Sequence, residues 1–337
     1  MSERVIENLN RGLHTLLAAD PEVFLLGEDV CDPYGGAFKA SRGLSTRFPD
    51  RVLNTPIAEN AIVGVAAGLA LAGHRPIAEM MFGDFITLGF DQIVNFATKS
   101  ATMYGRPVPM NMVVRCPVGG GRSYGPTHSQ NLQKHFLGVP GLRLFELTPF
   151  HDCGELLGHM LSLGTPSILF EDKVLYSQPM HQGGAVDDLF TYEKFGPGGA
   201  FVRVAPDGFD SCDVLMIAPG GMLARCLSAA KTLLIEDEII AQIVVPLQLY
   251  PFDPAPLEAL AAASGLVLVA EEGTAGGTWG GEVASQLYAR LWGALRHRVV
   301  QLSSHDSIIP CAPHLERQVL IQAEDIYAAI KAEVLHV

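Results

Sequence analysis

Short apolar runs of strand length alternate along this chain with segments whose apolar residues recur every three or four positions. No other feature constrains the fold as much. Ile6, Leu9, Leu13, Leu16 and Leu17 share one face of a helix that ends at Asp20-Pro21. Val23-Phe24-Leu25-Leu26, closed by Gly27, reads as a strand buried on both faces. Further strands are expected at Arg75 to Met81, Met110 to Arg115, Leu142 to Leu147 and Ser167 to Glu171, with helices around 59–73, 88–102 and 151–163. Such a βαβα order with doubly buried strands predicts a mostly parallel sheet flanked by helices. From Asp172 to about Asp213 the pattern gives way to glycine, proline and charge. It resumes with strands at Val214 to Ala218, Ile239 to Val245, Gly265 to Ala270 and near Arg298 to Leu302. Helices are expected at about 221–235, 256–263 and 282–293, and from Glu324 onward. The 337 residues therefore suggest two α/β domains, 1–175 and 211–337, joined by a linker at 176–210.

Acidic residues number 36 against 23 basic ones, giving a net charge of −13 with no basic run, which disfavours a nucleic-acid partner. The longest apolar stretch, Ala61 to Gly73, is well short of the roughly 20 residues that span a bilayer. Met1-Ser2-Glu3-Arg4 leads straight into a helical pattern and has no secretory signature, so a cytoplasmic location is expected. The cysteines at 31, 116, 153, 212, 226 and 311 show no Cys-x-x-Cys spacing and read as reduced, mostly buried thiols. Charged residues make up only 18%, mean hydropathy is +0.24, and there are 35 glycines and 22 prolines. Either other subunits cover part of the surface, or the loops are unusually tight.

Ligands of open α/β sheets sit beyond the carboxyl ends of strands, which directs attention to five segments. They are Gly27-Glu28-Asp29-Val30, Thr55-Pro56-Ile57-Ala58-Glu59-Asn60, Met81-Phe82-Gly83-Asp84-Phe85, the loop from Gly119 to Gln130, and Glu271 to Gly277. Glu59 is a candidate functional acid, although an acid opening a helix also suits the helix dipole. Phe85 equally fits a core position. His128, in a polar, glycine-rich loop, reads as a site residue, since loops carry function and histidine as a residue type titrates near neutrality. Gly119-Gly120-Gly121 is either a phosphate cradle or a flexible turn. Glu28 and Asp29 also fit a solvated loop, and Asp91 fits a salt-bridge partner within a helix. The segment from Glu271 lacks the Gly-x-Gly-x-x-Gly spacing of a dinucleotide turn.

The order and separation of these segments say more than any one of them. Tyr34-Gly35-Gly36-Ala37-Phe38, Thr55-Pro56-Ile57-Ala58-Glu59, Phe82-Gly83-Asp84-Phe85 and Phe90-Asp91-Gln92-Ile93-Val94-Asn95 are followed by Pro117-Val118-Gly119-Gly120-Gly121 and His128-Ser129-Gln130. Pro140-Gly141-Leu142 and Glu271-Glu272-Gly273 with Gly276-Gly277 complete the set. Over nearly its whole length the chain resembles the beta subunit of the thiamine diphosphate-dependent decarboxylating component of 2-oxoacid dehydrogenase complexes, within the transketolase-like superfamily. The resemblance implies a transketolase-like pyrimidine-binding domain and a transketolase C-terminal-like domain. It implies oxidative decarboxylation of a 2-oxoacid, of pyruvate, branched-chain or acetoin type, with acyl transfer to a lipoyl acceptor. Glu59 is then the carboxyl group bonded to the cofactor's aminopyrimidine, a role suited to a water-poor pocket. Phe85 and Met81 would pack on the pyrimidine. His128 would stand near the reacting centre, for proton transfer or for orienting the acyl group on its way to the lipoyl sulfur.

In the superfamily, magnesium on a Gly-Asp-Gly motif with a later asparagine holds the diphosphate; the only Gly-Asp here, Gly83-Asp84, runs into Phe85. The resemblance thus implies an alpha subunit that holds the magnesium, and a heterotetramer of two alpha and two beta chains with cofactors at their interfaces. A lipoyl-bearing acyltransferase is the implied further partner. The resemblance also implies an acidic, water-filled route that includes Glu28 and Asp91, and a structural potassium ion on backbone carbonyls near Met160, Leu163 and Thr165. The chain departs from the family's Gly-x-Asp-x-Pro-x-Pro-Tyr pattern at Val300 to Cys311, and Thr274 stands where a histidine or another larger residue is common. These departures leave the contacts of the C-terminal tail open and are consistent with a specialised 2-oxoacid or acyl carrier. A split transketolase or carboligase, or an inactive scaffold, is an alternative reading; the presence of Glu59 and His128 weighs against the scaffold.

Overall fold

The computed structural model describes residues 3–334 and divides into two compact units. The first holds the chain up to Gly119 together with Thr127–Met180; the second holds Gly120–Pro126 and the chain from His181 onward.

In the first unit α1 (Val5–Ala19) buries Val5, Leu9, Leu13 and Leu17 along one stripe, and the Glu7 carboxylate accepts the Arg4 N–H at 2.9 Å to close its first turn. Strands β1 (Val23–Gly27), β2 (Val52–Asn54), β3 (Arg75–Glu79), β4 (Val113–Val118), β5 (Arg143–Glu146) and β6 (Ser167–Asp172) pair in the order β5-β6-β4-β3-β1-β2, all parallel. β4 and β6 are buried throughout, as strands covered on both faces must be. The helices are α2 (Leu44–Arg47), α3 (Glu59–Leu71), α4 (Thr98–Ser100) and α5 (Cys153–Met160). Asp152 caps α5 by accepting the N–H groups of Gly154 and Glu155. Helices α1 and α5 meet through Gly12 and Gly154: a Cβ at Gly12 would lie 2.5 Å from the Gly154 nitrogen.

The second unit contains β7 (Phe190–Phe195), β8 (Phe201–Pro206), β9 (Val214–Ile217), β10 (Ala241–Pro246), β11 (Gln248–Tyr250), β12 (Leu266–Thr274) and β13 (Val300–Ser304). Its sheet runs β13-β12-β9-β10-β8-β7; β8 is antiparallel to both β10 and β7, and the other pairs are parallel. Helices α6 (Leu223–Asp237), α7 (Glu258–Ala263), α8 (Trp279–Leu291), α9 (Pro313–Val319) and α10 (Ala323–Val334) complete it. Each unit is thus a mostly parallel sheet with helices, as the alternation predicts.

Three expectations differ from what is observed. The segment 176–210, expected as a linker, carries the β7–β8 hairpin of the second sheet, because its Gly-Pro-Gly-Gly stretch is the hairpin's turn and not a break in structure. The helix expected at 88–102 is wound in three ways: a 3₁₀ segment at Gly83–Gly89, a π segment at Gln92–Ala97 and then α4. Gly89 lies close against α3, where a Cβ would come within 2.9 Å of Val63. Finally, α9 was not expected from the sequence; Pro313 at its first position and too few apolar residues for a stripe hide it.

The crossing of α1 and α5 leaves no room for a side chain. Gly12→Ala should therefore cost about 1–3 kcal/mol through overpacking, lowering Tm by about 2–10 °C in a thermal melt; an unchanged Tm would mean that the two backbones are not held this closely.

Candidate active site

The segments beyond the carboxyl ends of β1, β2, β3 and β4 carry, in turn, Glu28, Glu59, Met81 with Phe85, and His128. Glu28 directly follows β1 and is 7% exposed, and its Oε1 is buried with no hydrogen-bond partner. Burial raises its pKa, and the nearby charges of Glu59 and Asp29 add to that rise. Glu59 is the first residue of α3 and is 5% exposed. The residue before it, Ala58, offers no capping side chain, so a buried acid occupies the positive end of this helix. Glu28 and Glu59 are therefore brought together; the solvated-loop reading of Glu28 does not hold.

Met81 and Phe85 are half-buried in the segment after β3. His128 is half-buried beside them: its ring meets Phe82 edge-on at 4.5 Å and Phe85 at 5.3 Å between centroids. Its Nδ1 lies 3.0 Å from Thr127 Oγ1. Phe85 is thus a partner of His128 and not simply a core residue. Asp91, in contrast, is exposed; its carboxylate accepts from Asn95 Nδ2 at 2.7 Å, a contact along its own helical segment. Met160, Leu163 and Thr165 lie at the end of α5 and in the turn that follows. The Met160 carbonyl accepts the Leu163 N–H at 3.3 Å, and Thr165 Oγ1 is buried with no hydrogen-bond partner.

Behind this site lies a buried ionic network that the sequence did not reveal. Arg115 on β4 is 0% exposed and bridges two neighbouring strands. Its Nη1 donates to Glu79 Oε2 on β3 at 2.5 Å, while Nε and Nη2 donate to both Glu171 oxygens on β6 at 2.7 and 2.9 Å. Glu79 also accepts the Ala37 N–H at 2.7 Å and the Ser41 hydroxyl at 2.8 Å, and Tyr176 donates to Glu171 at 2.5 Å. Burial opposes the charge on Arg115, but Glu171 and Glu79 outweigh it and hold the guanidinium ionised. The signal available in the sequence was a charged residue inside each of three otherwise apolar strand runs. Rings continue inward from the network: Tyr176 packs on Phe38 at 5.2 Å, and Phe38 on Phe82 at 6.5 Å.

The glycine run is neither a phosphate cradle nor a flexible turn. In the second unit the Gly120 N–H donates to Glu272 at 2.7 Å, and Glu316 of α9 accepts from the Gly121 and Ser123 N–H groups at 3.0 and 2.9 Å. Side-chain carboxylates thus already hold these donors. Glu272 is itself paired with Arg225 at 2.6 Å. Among the described residues no cluster of three or more His, Cys, Asp or Glu is placed to hold a metal ion, and all six cysteines are free thiols.

Two outcomes are expected. Arg115→Met would leave Glu79 and Glu171 buried without their cation, a loss of about 3–5 kcal/mol measurable by denaturant unfolding; a loss near zero would mean that the network is hydrated. The raised pKa of Glu28 means that folding favours its protonated form, so this contribution to stability is full below the unfolded pKa and is lost as pH rises through the folded one. Glu28→Gln should accordingly gain Tm over the parent as pH rises from acid to neutral, and a pH-independent difference would contradict the shift.

Comparison with known proteins agrees with this architecture. The chain matches the transketolase pyrimidine-binding domain over residues 4–179 and the transketolase C-terminal domain over residues 209–326. It is 32% identical to a pyruvate dehydrogenase E1 component subunit beta of Leifsonia xyli, with 97% of this chain and 93% of that protein covered. It is also 32% identical to the 2-oxoisovalerate dehydrogenase subunit beta of Bacillus subtilis, with 97% of each covered. A solved split-gene transketolase, described as an inactive beta4 tetramer, superposes with a TM-score of 0.70 at 22% identity over 97% of each chain, which reflects a shared fold. With two domains matched in order and relatives covered almost end to end, this chain belongs to the family of 2-oxoacid dehydrogenase E1 beta subunits, built on transketolase-like domains.

Proposed function

We propose that the chain is the beta half of a thiamine diphosphate-dependent E1 component that decarboxylates a 2-oxoacid and passes the acyl group to a lipoyl acceptor. The observation that carries this reading is the buried acid pair: Glu59 at the start of α3, with its charge felt by Glu28, whose buried Oε1 has no hydrogen-bond partner. The family is thiamine diphosphate-dependent in general, and the residues fit that group. Glu59 would hold the aminopyrimidine, with Phe85 and Met81 against its ring. When bound, the cofactor supplies a carbanion-stabilising centre. Glu59, 5% exposed, would make its hydrogen bond to the aminopyrimidine in a water-poor surrounding. His128, lodged between Phe82 and Phe85, orients the acyl group or moves a proton during transfer. In the net reaction the bond between C1 and C2 of the acid breaks and carbon dioxide leaves. The lipoyl disulfide takes the two electrons, so that one sulfur becomes the acyl thioester and the other the thiol.

The assembly is a heterotetramer with an alpha subunit that holds magnesium, and a lipoyl-bearing acyltransferase receives the product. Glu28 and Asp91 belong to an acidic, water-filled route; the exposure of Asp91 in the isolated chain suits a residue that a partner covers. Potassium on carbonyls near Met160, Leu163 and Thr165 is supported by the buried, unpartnered Thr165 hydroxyl in that turn. No helix among the described residues is long and apolar enough to cross a membrane, and six free thiols suit the reducing cytoplasm proposed here.

Co-expression with the alpha partner and a panel of pyruvate, branched-chain acids and acetoin, read with an artificial electron acceptor, tests the activity and names the substrate. Glu59→Ala should abolish turnover while the heterotetramer still elutes at its parent volume; near-normal turnover would refute the role given to Glu59. Purified alone, the chain should bind thiamine diphosphate poorly in calorimetry, and stoichiometric tight binding without alpha would overturn the shared site.

A further inference from the structure

Two motif residues remain without a role. Asp84 lies between Phe82 and Phe85, and Gln130 lies two residues after His128. Asp84 is 5% exposed, and its Oδ1 accepts both the Gln130 side-chain amide at 2.8 Å and the Gln130 backbone N–H at 3.3 Å. The Gln130 carbonyl in turn accepts the Gly119 N–H at 3.1 Å. Gly83, next to Asp84, is pressed against β4: a Cβ there would meet the Pro117 oxygen and a Val118 methyl, each at 2.6 Å. The loop after β3 and the segment 127–130 are therefore each fixed to β4 or its end, and Asp84 ties them to one another.

We propose that Asp84 and Gln130 are positioning residues for His128, setting the imidazole against Phe82 and Phe85 and so fixing its distance from the reacting carbon. This rests on the reading of His128 given above. Among the described residues the one hydrogen-bond neighbour of the His128 side chain is Thr127, which is adjacent in sequence and moves with it. The two ring contacts fix a plane but slide easily. The hydrogen bonds that Gln130, two residues after His128, donates to the buried Asp84 carboxylate supply the direction that ring packing lacks. The other Asp84 oxygen is buried with no hydrogen-bond partner. The position therefore needs an acceptor towards Gln130 and makes no visible use of the second oxygen, so asparagine should serve there and alanine should not.

The test uses the assembled alpha–beta complex with Asp84→Ala, Gln130→Ala, Asp84→Asn and, as control, His128→Ala. Decarboxylation is read with an artificial electron acceptor, and acyl transfer with a lipoylated domain. Asp84→Ala and Gln130→Ala should lower kcat for acyl transfer by about 10- to 100-fold, the scale of an ångström-sized misplacement, with much smaller changes in decarboxylation and in KM for the lipoylated domain. Asp84→Asn should restore transfer to near the parent rate. A readout that does not depend on turnover is carbethoxylation of His128 by diethyl pyrocarbonate, followed by peptide mass spectrometry; it should speed up in the two alanine variants and not in Asp84→Asn. If His128→Ala separates the two half-reactions while the Asp84 and Gln130 variants match the parent in transfer and labelling, the positioning role is overturned and the reading of His128 stands. If His128→Ala leaves acyl transfer intact, that reading fails and the positioning role fails with it. Equal losses in both half-reactions with no rescue by asparagine would mark a merely structural pair and also overturn the proposal.

Discussion

The site depends on a guanidinium placed where water does not reach. Arg115 lies within β4, between β3 and β6, and its charge is met only because Glu79 and Glu171 stand beside it. A buried ion pair of this kind adds little net stability over well-packed apolar residues. What it adds here is register: Glu79 stands opposite Arg115 and Glu171 opposite Pro117, and the three parallel strands must keep that alignment for the fork to reach both carboxylates. The same carboxylates then take up Ala37, Ser41 and Tyr176, so the loops after β1 and β6 are tied to the same point. Met80, whose N–H bonds the Arg115 carbonyl, carries that order directly into the segment that holds Met81 and Phe85.

From there the order passes through rings and short hydrogen bonds. Tyr176 packs at a tilt on Phe38, and Phe38, Phe82 and His128 follow one another edge to face; Phe38 holds its place at a φ of 53°, in the left-handed region. Rigid support of this kind suits a site whose proposed chemistry uses a carboxyl and an imidazole in fixed positions. The low charge and high hydropathy also find a physical counterpart. Ile57, Val65 and Leu88 of the first unit and Ile308 and Trp292 of the second stand exposed, as befits a chain proposed to share its surfaces with partner subunits.

Much of this was legible in the sequence, for reasons that can be traced. The strands β1 and β6 announced themselves because doubly buried parallel strands have no polar face to blur the run. Glu59 and His128 were legible as members of an ordered set, although each alone had an ordinary alternative. Elements with little periodicity were harder to see. The β7–β8 hairpin lies in a stretch rich in glycine, proline and charge, its edge strand β7 needs few apolar residues, and α9 is too short for a stripe. The 3₁₀ and π winding between residues 83 and 97 reflects packing against α3, which no local propensity encodes.

By itself the sequence determined the alternating architecture, the two units and the family motifs, because hydrophobic period and motif spacing are properties of neighbours along the chain. Only the tertiary structure decided which carboxylate meets which donor. Glu316 and Glu272 take the amide protons of the glycine run, Arg115 takes Glu79 and Glu171, and Asp84 takes Gln130. These partners lie between 36 and 195 residues apart. A buried charge or amide accepts whichever complementary group the fold delivers to it, and that delivery depends on the whole sheet closing, not on any local pattern.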